Sequence, residues 1–367
     1  MQVSPMHVSK VINSRDWNQG PVRKKGIQLY PIQIGPIKVV VSNLGGNILS
    51  YEVNGTRGDI QAAHTFLDFT NDNDFKLQDL TGMMQIGGLT PPMSYPGVGR
   101  LTELADGSSV SPLKNLQGFR MLKEKDVDGA TRDIGIHGAI HNRLWDVTNI
   151  GPVDDAHKIE VSFEVSGTKN HDLFSLFGSG SIKRTYDIKP VGNGAEIKVT
   201  TKIKGLRLFG DHTFLNTPER QNWTLKNKAG KLLAIDTNNY GVPTGEFITG
   251  VDAERFNNPA PLSGPFDGTF GDLDFSTSDS MSVAHLLDTD TGIELGVLQD
   301  SGLSFTTIFT PMGSNSVALP FACIEGQTVT ADAFKLGKGE SGKLFAPHGL
   351  RSEKEFVTVQ KYTARFT

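Results

Sequence analysis

The chain has 367 residues, 37% of them hydrophobic, which is enough to bury a sizeable core in one large domain. Its 36 basic and 40 acidic residues leave a net charge of -4, and no basic run exceeds Arg23-Lys24-Lys25, which argues against nucleic acid as a partner. A single cysteine, Cys323, excludes an internal disulfide framework, and apolar runs as short as Ile37 to Val41 exclude a membrane-spanning helix.

The first twenty residues, Met1 to Gly20, lack the apolar stretch of a secretory signal, so a reducing cytoplasm is the expected location. Residues 1–26 are polar and read as an N-terminal arm or a cover over a sheet edge, with residues 27–367 forming a single domain. From Ile27 the pattern turns to short β-type runs, Ile27 to Ile34, Ile37 to Val41 and Ile48 to Val53, bounded by the turn signals Gly45-Gly46 and Asn54-Gly55. Between Gln61 and Lys76 two readings stand, a short helix or irregular strands. Gly82 to Leu101 is rich in Gly, Pro and Met and ends in Tyr95-Pro96-Gly97-Val98-Gly99-Arg100, which favours a long ordered loop.

Gly135-Ile136-His137-Gly138-Ala139-Ile140-His141-Asn142-Arg143-Leu144-Trp145 gathers two imidazoles, an amide, a guanidinium and an indole without a hydrophobic period, so it reads as a loop leading into the strand that begins near Asp146. Clear alternation follows: Ile159, Val161, Phe163 and Val165 against Lys158, Glu160, Ser162 and Glu164, then Ile197, Val199, Thr201 and Ile203 against Glu196, Lys198, Thr200 and Lys202. Further strands are expected at Ile293 to Val297, Phe305 to Phe309 and Phe356 to Tyr362. Helical periodicity is nowhere sustained, and there is no fixed-period repeat or low-complexity tract. The fold class is therefore all-β, a large antiparallel β-sandwich.

Two more polar constellations stand out. Gly210-Asp211-His212-Thr213-Phe214-Leu215-Asn216 puts a histidine at a strand end. In Pro320-Phe321-Ala322-Cys323-Ile324-Glu325-Gly326-Gln327-Thr328, period-2 alternation puts Phe321, Cys323 and Glu325 on one face. A carboxylate sharing an apolar face is desolvated, which raises its pKa towards that of a general base working near neutrality; the plain alternative is an end-of-strand Glu325 meeting water. His212 likewise reads either as a catalytic group or as a histidine satisfying backbone at a strand end. No metal site is expected: His137 and His141 have the spacing of a helical pair, but Gly135 and Gly138 break a helix and no acidic residue stands between the two histidines. Trp145 and Trp223 read as core rather than sugar platforms, and Cys323 as a small buried hydrophobe rather than a nucleophile. No Gly-x-Ser-x-Gly elbow, P-loop or dinucleotide fingerprint is present, so no cofactor is expected.

Taken together these segments resemble the aldose 1-epimerase, or galactose mutarotase-like, family. Its members carry a His-Gly-Phe-x-x-Asn-Arg-Pro-Trp-like segment, a His-Pro-Tyr-Phe-Asn-like segment and a late strand ending in Glu-Pro, in that order. Here they read His137 to Trp145, His212 to Asn216 and Cys323 to Thr328, with Pro96 to Leu101 resembling the Gly-Arg substrate loop and Phe266-Asp267-Gly268 a sugar-binding Asp segment. The departures are Ala139 for an aromatic, His141 for Arg, Thr213 for Pro and Gly326 for Pro.

The resemblance implies a galactose mutarotase-like supersandwich and an isomerase that interconverts α and β anomers of an aldose, with an acid and a base on opposite sides of one C–O bond. It implies Glu325 as base and His212 as acid, with His137, Arg100, Asp267, Asn142, Arg143 and His141 holding the sugar. A carbohydrate-binding or regulatory protein on the same fold is the competing class, and a phosphorylated or oxidised sugar is the variant within enzymes. Exposed strand edges make a monomer or a homodimer the expected assembly.

Overall fold

A computed structural model describes residues 12, 14–24, 27–64, 89–90, 122–125, 131–134, 143–153, 155–169, 179–204, 210–236, 242–312, 318–328, 330 and 355–367. These build two large sheets in which every pairing is antiparallel. The first has 12 strands and runs, in spatial order, β1 (Val22–Lys24), β2 (Ile27–Ile34), β3 (Ile37–Ser42), β4 (Ile48–Gly55), β6 (Leu89–Thr90), β13 (His212–Asn216), β22 (Phe321–Gln327), β21 (Phe305–Thr310), β18 (Phe266–Leu273), β15 (Ala229–Asp236) and β16 (Val242–Ile248), with β5 (Gly58–His64) also on β4. The second has nine: β17 (Ala260–Pro261), β14 (Trp223–Asn227), β19 (Ser282–Asp288), β20 (Ile293–Gln299), β23 (Phe356–Phe366), β12 (Gly194–Lys204), β11 (Gly180–Val191), β10 (Ala156–Val165) and β9 (Asp146–Val153). A separate hairpin pairs β7 (Leu122–Lys125) with β8 (Thr131–Ile134). Among the described residues no helix is long and apolar enough to cross a membrane.

The alternation expected from the sequence sets the layers. Ile159, Val161, Phe163 and Val165 of β10 and Ile197, Val199 and Ile203 of β12 face inwards and meet Val39, Val41, Tyr51, Leu215, Ile308 and Ile324 of the first sheet in one core. Trp145 and Trp223 both belong to that core, 3% and 1% exposed, which leaves neither indole as a sugar platform. The Gly45-Gly46 turn between β3 and β4 needs its glycines: both have left-handed φ, 64° and 62°, and a Cβ on Gly46 would lie 2.9 Å from Val161 and 3.0 Å from Trp145.

The central strands of the first sheet are buried on both faces, as the unbroken burial of β13 from His212 to Leu215 and of β22 over its whole length shows. Their inner face is partly polar. Arg184 of β11 crosses the sandwich to meet Asp211, just before β13, in a two-pronged ion pair (Nη1 to Oδ1 2.9 Å, Nη2 to Oδ2 2.6 Å), both side chains being at most 1% exposed. Tyr362 of β23 donates to Asp211 and Thr213 donates to Tyr362, each at 3.4 Å. The Asp211 N–H in turn donates to the Gly326 carbonyl at 2.9 Å, so this anchor ties the start of β13 to β22.

Candidate active site

On the other face of the same strands, register brings four side chains into one row. Thr269 of β18 pairs with Thr307 of β21, and Thr307 pairs with Glu325 of β22. The β13–β22 ladder, which pairs Thr213 with Ile324, carries His212 opposite Glu325. Residues two apart on a strand share a face, so the next row runs Asp267, Phe309, Cys323 and Phe214. Its apolar members pack with Phe321 and Leu319 into a small cluster separate from the main core.

The contacts within the rows are tight. His212 Nε2 lies 3.1 Å from Glu325 Oε2, with the two side chains 7% and 8% exposed. Gln327 Nε2 donates to the same carboxylate oxygen at 3.0 Å, and the Thr269 and Thr307 hydroxyls are 2.7 Å apart. The nearest donor atoms of His212, Cys323 and Glu325 all lie within 4.8 Å of one another.

Burial governs the electrostatics. Desolvation, reinforced by the negative charge of Asp267, pushes the Glu325 carboxyl up to about 8, against smaller lowering contributions from hydrogen bonds with Cys323 and Gln327. Asp267 is exposed, yet desolvation also raises its carboxyl. Burial and the nearby Glu325 hold the Cys323 thiol well above its ordinary range, so it is no nucleophile at neutral pH.

Of the residues singled out from sequence, His212 and Glu325 are brought into direct contact, and Asp267 shares their face two strands from Cys323. The plain reading of Glu325 as a solvated strand-end acid does not hold: the residue is interior to β22 and 6% exposed. Cross-strand pairing sets His212 and Glu325 side by side on one face of the sheet. The Arg143 carbonyl accepts from the Gly45 N–H at 2.6 Å, which ties the segment before Trp145 to the β3–β4 turn. His137, His141, Asn142 and Arg100 lie outside the described residues, as does Gly82 to Leu101 apart from β6. Sequence reasoning missed Thr269, Thr307 and Gln327. Only Gln327 had a signal, its position two residues after Glu325 on the same strand.

No protein-family model matches the sequence, and no curated protein matches it. Solved structures do match over almost the whole chain. A galactose mutarotase-like protein from Clostridium acetobutylicum is 17% identical with a TM-score of 0.67, covering 95% of this chain and 98% of its own. A GalM/aldose epimerase homologue from C. elegans is 14% identical with a TM-score of 0.59, covering 92% and 99%. A galactose mutarotase-like protein from Lactobacillus casei is 12% identical with a TM-score of 0.59, again covering 92% and 99%. Identities this low establish architecture: the chain has the galactose mutarotase-like fold that its three motif segments resemble.

Proposed function

We propose that the protein is an aldose 1-epimerase, taking a small free sugar as substrate and opening and reclosing its ring by acid and base catalysis from Glu325 and His212. The observation that carries this reading is the buried contact of 3.1 Å between His212 Nε2 and Glu325 Oε2. The anomeric hydroxyl O1 and the ring oxygen O5 hang on the same carbon, so a base for one and an acid for the other must stand close together, on one wall. Ionised Glu325 takes the O1 proton while His212 delivers a proton to O5; the C1–O5 bond breaks, the C1–C2 bond rotates, and reclosure on the other face of the carbonyl reverses both transfers. The elevated pKa of Glu325 suits it to that exchange, because a base whose proton affinity lies near neutrality also returns the proton readily.

Asp267, exposed on the face that carries Cys323 and Glu325, accepts hydrogen bonds from sugar hydroxyls in this reading, and Phe309 beside it offers an apolar surface to the ring. His137, Arg100, Asn142, Arg143 and His141 remain proposed sugar-holding groups. A cytoplasmic monomer or homodimer without a nucleic-acid partner completes the proposal, supported by the single cysteine and the near balance of charge.

The test is polarimetry or NMR exchange on freshly dissolved sugars over a panel of aldoses, free and 6-phosphorylated. Glu325→Gln and His212→Asn are each expected to lower kcat on the best substrate by about 10²–10⁴-fold, the usual contribution of a positioned acid or base. Full activity in either variant overturns that assignment. Saturable sugar binding by the unaltered protein, with anomers exchanging only at the uncatalysed rate, would instead make it a carbohydrate-binding protein.

A further inference from the structure

Cys323 has no part in the ring-opening chemistry, yet it is fully buried with its thiol turned to the two groups that do. An apolar side chain would fill that position equally well, since Phe214 and Phe321 surround it. What sulfur adds is a third donor. The structure assigns to His212, Cys323 and Glu325 a binding site for a borderline-soft divalent cation of the zinc or cobalt type, which occupies the place of the reacting sugar and inhibits rather than assists turnover.

The chemistry and the spacing both fit. Imidazole, thiolate and carboxylate are the three donors found around catalytic zinc, where three protein ligands leave a fourth position open. With metal–nitrogen and metal–oxygen bonds of roughly 2.0–2.2 Å and a metal–sulfur bond of roughly 2.3 Å, the edges of the tetrahedron are about 3.3–3.6 Å. His212 Nε2 and Glu325 Oε2 already stand 3.1 Å apart, and all three donors fall within 4.8 Å, so the widest separation exceeds a tetrahedral edge by little more than about 1 Å. Those strands are central in a 12-stranded sheet and hold the donors at fixed register. Sulfur disfavours hard cations such as Mg²⁺ and Ca²⁺. On coordination the thiol proton passes to solvent, the imidazole binds through its neutral nitrogen, and no electrons are exchanged. The cation site rests on the geometry of the triad; only the competition with sugar rests on the epimerase reading.

The experiment titrates the full, tag-free chain with Zn²⁺ by calorimetry and with Co²⁺ by absorbance. One cation per chain is expected, with a thiolate-to-cobalt charge-transfer band, and no heat from Mg²⁺. Cys323→Ala removes the band and weakens Zn²⁺ by more than the roughly 10–100-fold lost when a group only orients a ligand is removed. Cys323→Ser, with an unchanged far-UV spectrum, repeats the result without opening a cavity. Absence of stoichiometric binding, or Zn²⁺ affinity unchanged in Cys323→Ala, overturns the site. A cobalt band in a protein that turns over no sugar sustains the cation site and counts against the epimerase reading alone.

Discussion

Replacing Asp267 with Asn removes one negative charge from the sheet face that Glu325 shares and changes little else, since the side chain is isosteric and exposed. Asp267 pairs with Phe309, which pairs with Cys323, so the carboxyl is two strand spacings and one row from Glu325, about 12 Å away. Two unit charges at about 12 Å interact by about 1.4 kcal/mol at an effective dielectric of about 20, or about 0.3 kcal/mol with full water screening. Since 1.36 kcal/mol corresponds to one pKa unit, the pair that titrates around Glu325 should ionise about 0.3–1.0 pH units lower in Asp267→Asn. The sign follows from the direction of the perturbation. Asp267 raises Glu325, so removing its charge lets the base form at lower pH, and the acidic limb of kcat/KM moves down. Polarimetric kcat/KM from pH 5 to 9, corrected for spontaneous anomerisation, reads the limb directly. Weaker sugar binding raises KM at every pH and leaves the limb's position alone. A limb that stays put or moves up would refute the electrostatic coupling across the two strands.

Three further outcomes follow from the same geometry. Glu325→Gln should be the more stable protein in alkaline buffer: a carboxyl raised from 4.5 to about 8 binds its proton more tightly folded than unfolded, so wild-type stability is full below about pH 4.5 and declines as pH rises through about 8. Urea unfolding should show a gap that opens over that window, with a ceiling of about 5 kcal/mol, and a constant gap would contradict the linkage. Arg184→Met leaves Asp211 charged and uncompensated in the interior and should cost about 3–5 kcal/mol; Arg184→Met with Asp211→Leu should recover most of it, a recovery that equilibrium denaturation can confirm or deny. Gly326→Ala should cost about 1–3 kcal/mol, because the new Cβ would lie 2.7 Å from Gln360 Nε2 and 3.0 Å from Gln299 Oε1; a melting temperature equal to wild type would show that those glutamines yield freely.

The fold was legible where burial alternates. Runs such as Lys158 to Val165 and Glu196 to Ile203 have one wet and one buried face, and β10 and β12 follow them residue for residue. Legibility fell where a strand is buried on both sides, because alternation then vanishes: β13 and β22 were found through their polar residues and their motif likeness. Within the site, the shared face of Cys323 and Glu325 follows from period two alone. The pairing of Glu325 with His212, more than a hundred positions earlier, is a matter of register between distant strands, and no local pattern encodes it. The same holds for Thr269 and Thr307, unremarkable until β18 and β21 are laid side by side. Arg184 lies on the buried face of β11, and its partner Asp211 was visible only as a neighbour of His212.

Those two levels of partnership explain how the chain can place a desolvated acid and base on a sheet without disordering it. Burying Glu325 works against its ionisation, and a carboxylate left alone there would turn towards water or pull its strand out of register. On the outer face Gln327 and His212 both touch the carboxylate, which limits its freedom to turn. On the inner face the Asp211 N–H holds the Gly326 carbonyl while the Asp211 side chain is gripped by Arg184 from the opposite sheet. The residue before His212 and the residue after Glu325 are thus bonded to each other and anchored across the sandwich. Gly326, where the motif it resembles has proline, fits this arrangement for a steric reason: the space a side chain would need is taken by Gln360 and Gln299. The departure at Gly326 therefore concerns how Glu325 is held in the sheet.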